Sequence, residues 1–121
     1  MQQIQPPVTP ASSPDAVRNL QGVLLFLLDL GEFEMEPERR IEVAAGLEAE
    51  RAVPEYGVHT LRLVRLFQEK SGIQVATGEV DTPTALAMDR RLIRLGGVTA
   101  HPATATTLAT ATAGTEGPGT R

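Results

Sequence analysis

The sequence predicts an all-α domain, and three observations carry the expectation. Apolar residues recur at helical spacing, most clearly Val17, Leu20, Leu24, Leu27 and Leu28, and again Leu63, Val64 and Phe67. Helix-start chemistry precedes the periodic stretches: Ser13 before Pro14 and Asp15, Thr60 before Leu61, and Asp81 and Thr82 before Pro83. Glycine follows each of them, at Gly31, Gly72 and Gly96.

The first helix is expected over residues 14–30. A serine oxygen can accept an orphan amide, proline fits the first helical turn, and Asp15 suits the positive end of the helix dipole. Val23, Leu25 and Phe26 widen its stripe until little polar surface remains, so this helix needs cover on most sides. Residues 32–54 alternate acids with Phe33 and Met35, are interrupted by Pro37, and carry Ile41, Val43, Ala44 and Leu47 around Gly46. They read as an exposed connector followed by short helical or irregular pieces ending before Pro54. The carboxylates lack the glycine-bearing loop of a calcium hand and read as solvated surface.

The second main helix is expected over residues 61–70, with Thr60 as its cap and Gly57 supplying a positive backbone angle. Gly78, Val80, Asp81, Thr84 and Leu86 form a looser copy of this helix entry, and either Asp81 or Thr82 caps a third helix running to about Leu95. Val17, Leu20, Leu63, Val64, Phe67 and Leu86 are the predicted core; Gly57 and Gly78 are predicted turn residues. Residues 1–12, rich in proline and glutamine, are expected to be a flexible lead-in, and residues 98–121, rich in alanine and threonine, a tail or linker.

Composition narrows function. A net charge of −4 across 121 residues supplies no basic field for nucleic acid or an anionic membrane. The apolar run 23–28 falls far short of the roughly 20 residues needed to cross a bilayer. No basic start followed by an apolar run marks a secretion signal. Cysteine is absent, which removes disulfides, thiolate metal sites and a thiol nucleophile. With only His59 and His101 available, a histidine-based zinc hydrolase site is not expected, and no cofactor is implied. Paired carboxylates for glycoside cleavage need a walled cleft that a single small core does not offer, so the expectation is a non-enzymatic chain.

In order, Val17, Leu20 and Gln21; Leu30 and Gly31; Tyr56, Gly57 and Thr60; Leu63, Val64, Phe67 and Gln68; then Gly78, Val80, Asp81 and Thr84 resemble the peptidoglycan-binding-like domain family. The resemblance spans roughly residues 15–95 and implies a small three-helix domain. Two departures stand out: a first helix about one turn longer than the family pattern, and a much longer connector between Gly31 and Tyr56, with Glu34, Glu36, Arg39, Arg40, Glu48 and Arg51 among its charges. The resemblance implies a non-catalytic module that tethers a partner to peptidoglycan, with an extracellular or wall-associated location. It also implies ligand contact near the turn ends, by Tyr56 stacking on a sugar and by His59 and Gln68 hydrogen bonding. The alternative is the same fold as a protein-docking module in a larger assembly, using helix 14–30 or insert 32–54 as the interface. The position of the insert is what separates the two.

Overall fold

A computed structural model describes residues 1–97, and they form an all-α arrangement of four helices: α1 (Pro14–Asp29), α2 (Pro37–Ala52), α3 (Val58–Lys70) and α4 (Thr82–Leu95). The tail expected over 98–121, with His101, lies outside the described residues.

The first helix begins where its local chemistry indicates. Ser13 Oγ accepts the Ala16 amide, Pro14 occupies the first turn, and Gly31 leaves the helix at φ 78°. Val17, Leu20, Val23, Leu24, Leu27 and Leu28 are all buried, so α1 is the central helix. Its wide apolar surface is covered from within the chain by α2 and α3. The helix therefore offers little of itself as a protein interface, with Leu30 the large apolar side chain left well exposed near its end.

The insert is the largest difference from expectation. In place of short or irregular pieces, residues 37–52 form one helix of 16 residues that passes straight through Gly46. Pro37, expected to interrupt a strand-like stretch, sits in the first turn, where its missing N–H is harmless. The helix buries only Val43 and Leu47, an i, i+4 pair, and that narrow stripe seats it across α1 and α3. A stripe so narrow gave little periodic signal.

Residues 1–12 correct the expectation of a flexible lead-in. Ile4 and Val8 are 3% and 2% exposed, within the main core. Val8 exchanges both backbone hydrogen bonds with Val80, the Ile4 amide donates to Asp89 Oδ1, and Asn19 holds both the amide and the carbonyl of Gln2. Two apolar anchors with these backbone partners offset an ordering cost that the proline and glutamine content alone could not. The opposite correction applies to Leu86, expected in the core but 53% exposed; α4 turns Ala85, Met88 and Leu92 inward instead.

Candidate binding groove

The entry to α3 is built differently from its sequence pattern. Gly57 is the N-cap at φ −95°, with no positive angle, and Thr60 lies inside the first turn rather than capping it. The capping oxygens come from Glu50, near the end of α2. Its Oε1 accepts from the Thr60 amide (2.9 Å) and hydroxyl (2.7 Å), and its Oε2 from the His59 amide (2.8 Å). Burial pushes the Glu50 carboxyl up, but these donors from His59 and Thr60 outweigh it and hold the group below its ordinary range.

Gly46 and Gly57 make room for this contact. A Cβ on Gly46 would lie 2.4 Å from the His59 ring, and one on Gly57 would lie 2.6 Å from the Glu50 carboxyl carbon. His59 Nδ1 is 2.8 Å from Glu50 Oε2, and an ionised carboxylate only accepts, so the proton is on Nδ1.

The start of α4 repeats the arrangement from local residues. Asp81 Oδ1 accepts both the amide and the hydroxyl of Thr84, and Thr84's hydrogen bonds hold the Asp81 carboxyl below its ordinary range despite burial. Each threonine hydroxyl then accepts from a fully buried glutamine on an earlier helix, Gln21 on α1 for Thr60 and Gln68 on α3 for Thr84. Gln21 Nε2 donates to Thr60 Oγ1 and the Glu55 carbonyl, as Gln68 Nε2 donates to Thr84 Oγ1 and the Glu79 carbonyl. Gln68 Oε1 further accepts the Gly78 amide, whereas Gln21 Oε1 has no partner. The residue corresponding to Gly78 in the first copy is Pro54, which has no N–H to give.

These contacts redistribute the expected ligand residues. Gln68 is 0% exposed and fully engaged. Tyr56 is 9% exposed, its hydroxyl donates to the Gly78 carbonyl, and burial raises its pKa. Neither can meet a ligand as placed, because a core position and internal hydrogen bonds consume them. Gly78, at φ 86°, is a turn residue as expected, and Ser13 and Asp81 are caps as expected.

His59 alone of the three ligand candidates reaches a surface cavity. It lines a groove of about 210 Å³ between α2 and α3, to which Glu34 and Met35 from the preceding connector also contribute. Arg39 and Val43 line it from α2, and His59, Arg62, Leu63 and Leu66 from α3. Val43 and Leu63 are buried and make an apolar floor, while Arg39, Arg62 and Glu34 are exposed around it. Glu34 and Leu66 also border an adjoining cavity with Phe33, Glu69 and Lys70.

Sequence reasoning missed Arg39, Arg62 and Leu66. Positions 59, 62, 63 and 66 share one helical face, which was legible, but the facing wall at 39 and 43 was hidden in a segment not expected to be a continuous helix. Among the described residues no group of three or more histidine, aspartate or glutamate side chains is placed to hold a metal. None of the described helices is long and apolar enough to cross a membrane. A scan against protein-family models matched none, and searches of curated proteins and of solved structures also gave no match.

Proposed function

We propose that this chain is a non-catalytic binding module of the cell-wall-targeting kind, holding a linked or associated partner at peptidoglycan outside the cell. The observation that carries the reading is the α2–α3 groove: an apolar floor of Val43 and Leu63 flanked by Arg39, Arg62 and His59. The ordered resemblance of the turn, cap and core residues to peptidoglycan-binding-like domains supplies the polymer. The groove supplies a surface for it that does not depend on Tyr56 or Gln68. Shallow contact is adequate, because a tethered module acts through effective concentration and repeated sites, and single-site affinity on the order of millimolar suffices. Co-sedimentation of the purified chain with isolated sacculi over a range of salt tests the reading; a chain that stays in the supernatant throughout would sink it.

A second reading, docking on a protein within a larger assembly, draws on α2. Ile41 and Val53 stand 70% and 67% exposed on and just beyond that helix, two apolar side chains that a protein partner would cover. Retention of sacculus binding after Ile41→Ser and Val53→Ser would separate this surface from wall attachment.

A further inference from the structure

We infer that the α2–α3 groove recognises the terminal carboxylate of a short cell-wall peptide rather than a sugar of the glycan strand, an inference that rests on the proposed function.

Size is the first argument. At about 210 Å³ the groove is smaller than the roughly 300–1,000 Å³ of sites that engulf a whole small molecule, so it admits the end of a chain. Shape and lining are the second. A sugar-binding surface offers an aromatic ring for the pyranose to stack on, and here Tyr56 is buried and the lining holds no aromatic ring except the His59 imidazole. Val43, Leu63, Met35 and Leu66 instead offer the small apolar contact that suits alanine-like side chains.

Charge is the third. Arg39 and Arg62 come from different helices onto one opening, against a single carboxylate, Glu34. Among the described residues Arg62 has no ion-pair partner, and Arg39 is held only by Glu42 at 3.6 Å in an exposed i, i+3 pair of little strength. Both guanidinium groups are therefore available to an incoming anion, and a carboxylate matches their fork geometry. The N-terminus of α3 cannot take that role, because Glu50 already fills the His59 and Thr60 amides. The ligand's anion is met by the arginines, and the apolar floor selects what precedes it.

The test uses the full chain and NMR titration with N-acetyl-D-alanyl-D-alanine, its C-terminal amide, the corresponding L,L peptide acid, and the N-acetylglucosamine disaccharide. The expected result is saturable shifts of the Arg39, Val43, Arg62 and Leu63 amides with the D,D acid, and affinity weakened about ten-fold by amidation or by Arg62→Gln. Arg65→Gln, on the same helix outside the groove, leaves binding unchanged. Equal binding of acid and amide, tighter binding of the disaccharide, or shifts confined to other surfaces would overturn the inference. Equal or tighter binding of the L,L acid would overturn the wall peptide as its source. Sacculus co-sedimentation is scored separately. Binding to sacculi without peptide-acid shifts refutes the carboxylate site alone; peptide-acid shifts without sacculus binding refute the wall-targeting reading.

Discussion

Glu50 caps a helix to which it does not belong: its Oε1 receives both the amide and the hydroxyl of Thr60, the same pair that Asp81 receives from Thr84 at the start of α4. The two helix entries share one chemistry and differ in its source. At α4 the carboxylate is the N-cap residue itself. At α3 the N-cap is Gly57, and a glutamate from the inserted helix lies where a side chain on Gly57 would have to go.

Removing the borrowed cap should be costly. Glu50→Ala leaves the His59 and Thr60 amides and the Thr60 hydroxyl without their acceptor, and the expected loss is about 2 kcal/mol or more. Glu50→Gln keeps one acceptor oxygen and should lose less. Denaturant unfolding of both variants measures the difference, and equal stability of Glu50→Ala and the parent would refute the cap.

The same carboxylates contribute to the acid limb of stability, together with Glu32, which its hydrogen bond from Arg91 holds below the ordinary range. Glu50 and Asp81 have depressed folded-state pKa values, so each contributes stability that is present above its unfolded value, 4.5 or 3.8, and is lost as pH falls through the lower folded value. Asp89 has the opposite sign: burial raises it, and the hydrogen bond from the Ile4 amide only partly offsets that. Its charged form is a penalty that protonation relieves as pH falls from the raised folded value toward 3.8. Asp89→Asn keeps an acceptor for Ile4 while removing the charge, and should raise thermal stability at pH 7. Thermal scans from pH 2 to pH 7 should show a shallower acid decline for Glu50→Gln than for the parent.

Gly46 gives a test of packing against propensity. Helix propensity alone predicts that Gly46→Ala stabilises by about 1 kcal/mol. The new Cβ would meet the His59 ring at 2.4 Å, so the expected sign is reversed. Adding His59→Ala should restore part of the loss, and a double-mutant cycle reads the coupling. Additive effects would contradict the contact.

The buried glutamines should be unequal. Gln68→Met strands the Gly78 amide and removes two donations, whereas Gln21→Met removes two donations and also eliminates an oxygen that had no partner. Gln68→Met is expected to be the more destabilising by about 1 kcal/mol, compared by urea unfolding.

Features whose chemistry is local along the chain were legible. Ser13 and Asp81 cap helices that start beside them, and the α1 stripe announces a buried helix. What depended on remote partners was not. Nothing near Thr60 indicates that it donates to Glu50 instead of capping α3 itself, and the Tyr56 hydroxyl finds its acceptor at Gly78, so Tyr56 looked freer than it is. Ile4 and Val8 carried too weak a pattern to reveal their burial. The groove shared this fate: the His59–Leu66 face was readable on α3, but its opposing wall required α2 to be a continuous helix.

Arg39 and Arg62 line that groove from α2 and α3, and the proposed function assigns them the anion of a wall ligand. Sacculus co-sedimentation of the parent chain against the Arg39→Gln, Arg62→Gln double variant tests this assignment most directly, with thermal midpoints recorded for both. The parent should pellet and the double variant remain in the supernatant with an unchanged midpoint. Equal pelleting of the two, or no pelleting of either, would contradict it.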